Sequence, residues 1–359
     1  MPESTDLLSV LSLFAVDFDD RPPIAPFGRG HVNGTYLAGT NPPTVLQRIN
    51  RAVFPSPERV AENVARVTAY LKGKIALDGG DPERETLTVV PARDTGLPYV
   101  ALNGEVYRLT RLIPNAVSRE SADPESLYRA AKTFGRFLHR LDGFSADGLY
   151  EVIPRFHDTP ARFAQLKAAI ASDPVGRAAS VAREIDFALS REHDCGLIVN
   201  GLLSGDLPLR VTHNDTKLNN FLFDRNTGDC IALIDLDTVM PGSLLYDYGD
   251  ALRSGAASAA EDEADLSKVF FRVENIAAFT RGFLEEFGSD LSSRERELIP
   301  FSIRLLALEC GIRFLADYIA GDVYFKTDRP EHNLDRARNQ FALVKNIEPQ
   351  LSSLARLVE

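Results

Sequence analysis

The hydrophobic period of this chain changes near residue 112, and that change limits the fold more than any other feature. Before it, short β-type runs at 34–37, 44–49, 86–92, 97–102 and 105–112 alternate with turn residues. Asp94-Thr95-Gly96 and Asn103-Gly104 separate the last three runs, and Asn-Gly between alternating runs is a strong hairpin signal. One helix is expected over 57–72, with Pro57 at its first position and Val60, Val64, Val67 and Leu71 on one face. Beyond Leu112-Ile113-Pro114-Asn115 the helical period takes over. Leu127, Ala131, Phe134, Leu138 and Leu141 form a stripe, with Ser121 as expected cap and Pro124 in the first turn. Further helices are expected over 160–171, 176–191, 265–287, 294–320 and 334–357. The one interruption is a hairpin, 221–223 and 231–234 around Asn226-Thr227-Gly228. The pattern predicts an α+β chain: a small antiparallel β-rich lobe with one helix (1–112) and a larger mainly helical lobe (113–359). A ligand cleft is expected between them.

Composition narrows the partners. Among 359 residues, 40 Lys and Arg face 51 Asp and Glu, a net charge of −11. Such a chain cannot release counterions over a broad nucleic-acid face, although a local basic cleft for an anionic cofactor is compatible with it. Cys195, Cys230 and Cys310 are too widely spaced for a disulfide framework or a zinc cluster, and read as reduced thiols. The most apolar uncharged run, 7–16, is ten residues long, against the roughly 20 that a membrane-spanning helix needs. It follows Glu3 and Asp6 rather than basic residues, so a short amphipathic helix is expected instead of a signal peptide. The expected location is the cytoplasm.

The densest polar cluster is Thr212-His213-Asn214-Asp215-Thr216-Lys217-Leu218-Asn219-Asn220, with Asp235-Leu236-Asp237 following. Taken singly, an aspartate in a loop is a turn or cap residue, His213 a structural histidine, and Asp237 and Asp250 braces for the loop. Together they match what phosphoryl transfer needs: a carboxylate to take the proton of the attacking hydroxyl, oxygen ligands for magnesium, and a cation against developing charge. His-x-Asp-x-Lys-x-x-Asn has the kinase catalytic-loop spacing, with Asp215 as base and Lys217 beside it. Asn220 and Asp235 then stand as magnesium ligands. Gly28-x-Gly30, with Asn33 beyond, is a turn that in this position suits phosphate binding.

These residues resemble the aminoglycoside phosphotransferase and choline kinase superfamily, relatives of protein kinases, and within it the bacterial N-acetylhexosamine 1-kinases. The resemblance rests on Pro26-Phe27-Gly28-Arg29-Gly30-His31-Val32-Asn33, Phe156-His157-Asp158-Thr159-Pro160 and residues 209–220. Residues 235–253 and 309–324 carry it further, as does Pro330-Glu331-His332-Asn333-Leu334. It implies a protein-kinase-like fold and transfer of the ATP γ-phosphate to the anomeric hydroxyl of N-acetylglucosamine or N-acetylgalactosamine. By position it implies Asp215 as base and as a substrate contact, and Asn220 and Asp235 on magnesium. It sets Arg313, Tyr324 and His31 toward the sugar. Gly28, Gly30, Asn33, Arg48 and Leu112 are the expected nucleotide contacts, with adenine near 109–115.

Two positions depart from the pattern. The strand that carries the nucleotide lysine in most kinases reads Leu46-Gln47-Arg48, so Arg48, with Glu62 as its partner, is the candidate replacement. Alternation sets Gln47 and Arg48 on opposite faces, and only one can meet the nucleotide. Ser254 stands where the N-acetylhexosamine 1-kinases that the chain resembles carry an aromatic. Three alternatives stay open. One is a kinase of the same superfamily acting on another sugar, an aminoglycoside or a choline-like alcohol. Another is a nucleotide-binding pseudokinase. The third is a haloacid-dehalogenase-like phosphohydrolase using Asp235 as nucleophile and Asp237 as acid, a fold that requires strands alternating with helices after the motif.

Overall fold

The computed structural model describes residues 6–18, 21–28, 32–121 and 123–359. The chain divides into two compact units. The first comprises Met1–Val117, Arg140–Pro154 and Leu222–Pro241, and the second Ser118–His139, Arg155–Phe221 and Gly242–Glu359.

In the first unit, helix α1 (Leu7–Ser12) starts on Asp6, whose side chain accepts from Leu8 N. The strands β1 (Ile24–Pro26), β2 (Gly34–Ala38) and β3 (Thr44–Ile49) precede helix α2 (Pro57–Leu77), and β4 (Val89–Val90), β5 (Val100–Leu102) and β6 (Glu105–Arg111) follow it. The order is β1-β2-β3-β6-β4, with β5 also on β6, and every pairing is antiparallel. Alternation gives the sheet two faces. Leu46, Tyr107 and Leu109 pack with Val10, Leu11 and Phe14 of the α1 segment on one face. Gln47, in register with Arg108, lies on the other face. Helix α2 packs against β4, β6 and the 236–238 turn, burying Val60, Val64, Val67 and Leu71. The expected strand over 86–92 shrinks to two residues, and β1 forms where only a turn was expected.

The second unit is helical. It holds α3 (Pro124–Leu141), α4 (Thr159–Ser172), α5 (Ala182–Leu189), α6 (Leu197–Ser204), α7 (Leu244–Gly255), α8 (Val273–Phe287), α9 (Ser293–Ala320), α10 (His332–Ile347) and α11 (Leu351–Ala355). The last residues of α3 belong to the first unit. At the start of α3, Asp123 rather than Ser121 accepts from Ser126 N. Helix α9 opens with a full capping box between Ser292 and Glu295 and packs against α4, α7 and α10. Glycine is required at Gly249 of α7, because a Cβ there would meet the Ser302 carbonyl oxygen at 2.5 Å.

Helices α6 and α7 escaped the sequence pattern, being short and apolar or almost wholly buried. Helix α8 begins at Val273 rather than 265, because Asp265 caps a separate 3-10 turn, Leu266–Lys268. The stretch expected as one helix over 334–357 breaks after Ile347 at Glu348-Pro349. The hairpin expected inside the helical lobe, Phe221–Asp224 with Cys230–Leu233, forms and joins Ala116–Ser118 in a three-stranded sheet. Most of that sheet belongs to the first unit, so the chain returns to the β-rich unit after leaving it. Among the described residues, no helix is long and apolar enough to cross a membrane.

Candidate active site

The Asp215 loop is held rigid from beneath. It leaves the strand Arg210–Thr212 and passes through Asn214 in a left-handed conformation, φ 64°. Asp247, in the first turn of α7, accepts from His213 N at 2.8 Å and Asn214 N at 2.5 Å. Its own backbone carbonyl accepts from the Thr216 hydroxyl. Burial pushes the Asp247 carboxyl up to about 6, against the pull of His213 and the two backbone donors. Behind the loop, His157 Nε2 meets the Asn214 carbonyl at 3.0 Å and Nδ1 meets Glu309 Oε1 at 2.8 Å. Thr159 Oγ1 donates to the other Glu309 oxygen at 2.6 Å. Burial works against both charges of this pair, yet each partner stabilises the other: His157 is raised and Glu309 lowered from the ordinary values. Tyr246 stacks on His157 at 4.9 Å.

Asp215 itself is part-exposed. Lys217 Nζ donates to Oδ2 at 2.7 Å, and Asn220 Nδ2 donates to the Asp215 backbone carbonyl at 2.7 Å and to Oδ2 at 3.2 Å. Asp215 N donates to His213 Nδ1 at 3.2 Å, which makes His213 a structural acceptor. Although burial raises its pKa, Lys217 and then His213 and Asn220 outweigh that and hold Asp215 below the usual carboxylate value. The result is an ionised, accessible oxygen on a fixed backbone, which is what a proton acceptor requires. The Leu218 N–H donates to Ser254 Oγ, so the serine anchors the same loop.

A second cluster of the helical unit surrounds Arg313 on α9. Its guanidinium lies over the Phe156 and Phe325 rings, 5.5 Å from each centroid, and among the described residues it makes no hydrogen bond or ion pair. Arg162 is close enough that, after burial itself, Arg313 is the main influence depressing its pKa. Tyr324 is 63% exposed, and its ring sits edge-on to Phe325. The turn carrying both rings is tied down by Asp317, which accepts from the backbone N–H groups of Val323, Tyr324 and Phe325 and from Asn333 Nδ2.

The first unit holds the nucleotide candidates. Gly28 adopts φ 77°, which suits a glycine turn, whereas Gly30 and His31 lie outside the described residues. Asn33 Oδ1 accepts from Asn50 N at 3.0 Å, and Asn33 Nδ2 donates to Asp237 Oδ2. Arg48 is exposed, shares a face with Tyr107, and approaches Glu105 at 4.0 Å. Leu112 donates its N–H to the Pro43 carbonyl and is half-buried. Among the described residues Glu62 makes no ion pair, and Arg48 approaches Glu105 instead of forming the expected Arg48–Glu62 pair. The buried pair of this unit is Arg108–Asp237, 2.5 Å apart, with Gln47 Oε1 accepting from the same Arg108 nitrogen at 2.6 Å. Asp235, two residues before Asp237, adopts φ 61°.

Residues 23–283 match the sequence model of the Phosphotransferase enzyme family. The chain belongs to that family. Solved structures share the fold at low identity. An aminoglycoside phosphotransferase from Alicyclobacillus acidocaldarius is 15% identical, with 98% of this chain and 95% of that one covered and a TM-score of 0.59. A choline/ethanolamine kinase family protein from Mesorhizobium loti is 19% identical, with 98% and 97% covered and a TM-score of 0.55. A spectinomycin phosphotransferase in complex with ADP and spectinomycin is 14% identical, with 98% and 99% covered and a TM-score of 0.54. The α+β, protein-kinase-like architecture is therefore the fold of this phosphotransferase.

Sequence reasoning on the phosphotransferase brought Asp215, Lys217 and Asn220 to one place, and Arg313 and Tyr324 to another around Phe325. It missed Arg108, the His157–Glu309 pair as a brace, and Asp317 as the anchor of the Tyr324 turn. The stretches containing His157 and Glu309 were visible, but nothing in them signals a contact 152 residues apart. Asp237 is not arranged as a general acid, because Arg108 and Asn33 occupy its two oxygens. Four long helices and only one short strand follow it, unlike a phosphohydrolase of the alternating type. Among the described residues no group of three or more His, Cys, Asp or Glu could hold a metal. A magnesium ion bound here would draw on amide, water and phosphate oxygens as well as carboxylate. Asn220 fits this need, since its Nδ2 is committed to Asp215 while its Oδ1 accepts no hydrogen bond among the described residues.

Proposed function

We propose that this phosphotransferase is an ATP-dependent kinase that phosphorylates the anomeric hydroxyl of an N-acetylhexosamine, giving the sugar 1-phosphate. The observation that carries the reaction type is Asp215, an ionised and accessible carboxylate on a loop braced by Asp247 and by the His157–Glu309 pair. In the proposed step the sugar O1 attacks the γ-phosphorus and the bond to the β-phosphate oxygen breaks. ADP leaves, and the hydroxyl proton passes to Asp215. Lys217 orients the carboxylate and keeps it ionised. Asn220 and Asp235 are the proposed magnesium ligands, both offering hard oxygen atoms. Magnesium, when bound, supplies charge neutralisation on the phosphates.

The acceptor reading rests on the second cluster. Among the described residues Arg313 has rings on its faces and no hydrogen-bond acceptor, which suits a neutral, hydroxyl-rich ligand presenting oxygens to the guanidinium edge. Two neighbouring arginines, Arg162 and Arg313, disfavour a polycationic aminoglycoside. Tyr324 and His31 complete the proposed sugar contacts, the latter from the resemblance alone. Free cysteines and the proposed use of ATP support a cytoplasmic location for the enzyme.

The test is magnesium-dependent ATP consumption against N-acetylglucosamine, N-acetylgalactosamine, glucose, galactose, mannose and one aminoglycoside, with 1-O-methyl glycosides in parallel. Turnover on an N-acetylhexosamine that vanishes when O1 is methylated is the expected result. Turnover that survives methylation, or that appears only with the aminoglycoside, overturns the acceptor assignment while keeping the family.

A further inference from the structure

No strand of the first unit carries a lysine. Residues 1–118 contain only Lys72 and Lys74, both on α2, where Lys72 pairs with Glu83. Protein kinases use a strand lysine, paired with a helix glutamate, to hold the ATP phosphates. Here the corresponding strand offers Gln47, and its side chain points to a cation one strand over. Arg108 of β6 stands in register with Gln47, is 1% exposed, and donates through Nη2 to both Gln47 Oε1 and Asp237 Oδ1. Its Nε and Nη1 are buried and have no partner. Three N–H groups of a buried guanidinium thus point at no acceptor, a condition that native interiors rarely tolerate. Asp237 cannot supply the acceptor, because its second oxygen is taken by Asn33. Asn33 directly precedes β2, so Arg108 is one hydrogen-bonded carboxylate away from the start of that strand. Arg48 lies on the opposite face of the sheet.

We propose that Arg108 is the phosphate-binding cation of this enzyme, tethered through Nη2 by Gln47 and Asp237 and offering Nε and Nη1 to a phosphate oxygen of the nucleotide. The inference rests on the kinase reading above. An acceptor with several charged oxygens matches the planar fork of donors better than a single water would. The fork reaches its anion from β6 because Gln47 fills the lysine position and holds the guanidinium.

Calorimetric titration with ADP and with adenosine, both in EDTA, tests this without turnover and without any part for Asp235 through magnesium. The proteins are wild type, Arg108→Lys, and the double variant Arg108→Gln with Asp237→Asn, which removes both buried charges together. Circular dichroism and thermal melts verify folding. The double variant should lose about 10- to 100-fold in ADP affinity, the worth of one charged hydrogen-bonded contact, with adenosine affinity unchanged. Arg108→Lys, which keeps the charge but not the fork, should fall between. An unchanged ratio of ADP to adenosine affinity in either folded variant overturns the proposal and leaves Arg108 as a structural tie with a buried water. A loss absent in EDTA that appears when the titration is repeated with magnesium in place of EDTA also overturns it, since Arg108 would then act through the Asp235 turn. A wild type that binds neither ligand sinks the kinase reading itself, an outcome distinct from the other two.

Discussion

Asp215 and Asp237 are each held by a cation, but the two pairs are built for different work. In the helical unit, Lys217 meets Asp215 at 2.7 Å with 38% and 28% of the two side chains exposed. In the β-rich unit, Arg108 meets Asp237 at 2.5 Å with both side chains almost closed to solvent. The lysine is a mobile point charge that leaves carboxylate oxygen free for a proton. The arginine is a planar fork that fixes a turn, and its carboxylate has both oxygens occupied. The position of the cation follows the chemistry proposed for each pair: exposed beside the proposed base, buried beside a carboxylate that fixes a turn.

The largest test of this contrast is Asp215→Asn. Removing the proposed base should lower turnover by about 10²–10⁴-fold, while ADP affinity and the unfolding midpoint stay near wild type. Near-normal turnover would remove Asp215 from the base role. Next is Arg108→Met, which strands the buried Asp237 charge. It should cost about 3–5 kcal/mol in urea denaturation, the usual result of removing one partner of a buried pair. A cost under about 1 kcal/mol would mean that water reaches Asp237, and the contrast between the two pairs would collapse.

The contrast also explains what could be read from the chain. Asp215, Lys217 and Asn220 lie within six residues, so one loop sets their chemistry and spacing alone reveals it. The turn residues and helical stripes that set α2, α3 and α9 were legible for the same reason, because periodicity is local. Arg108 and Asp237 are 129 residues apart, and they meet because the chain returns to the first unit at 222–241. Nothing local announces that return, since a hairpin between helices looks the same whichever unit it joins. Helix α7 was hidden by its burial: Leu244 through Arg253 are all buried, so no polar face marks a period. The Asp317 anchor shows as a plain aspartate in a helix until the 322–325 turn folds back over it.

The His157–Glu309 pair lies between the two extremes, buried like Arg108–Asp237 but supporting the Asp215 loop. Its raised histidine and lowered glutamate set the sign of its pH dependence. The histidine contribution is complete below the ordinary value near 6.5 and is lost as pH rises through the raised folded value. The glutamate contribution is lost as pH falls through its depressed folded value. His157→Asn should therefore cost about 1.5–3 kcal/mol near pH 5.5, with the gap from wild type narrowing as pH climbs through the raised histidine value. A gap that widens with pH would show a neutral histidine and a different brace for the Asn214 carbonyl.

The smallest expected effect on stability separates the two plans most directly. Lys217→Met removes a cation from a pair open to water, where screening holds the contribution to about 0.2–1 kcal/mol. The chemistry should respond more than the stability. With Lys217 gone, burial is opposed only by His213 and the Asn220 hydrogen bond, so the Asp215 pKa rises. A base must be ionised to act, and the acid limb of the pH–rate profile should therefore move to higher pH. Saturating ATP and the proposed acceptor isolate that limb from binding. An unmoved limb with a large stability loss would make Lys217 a structural residue and give both pairs the same function.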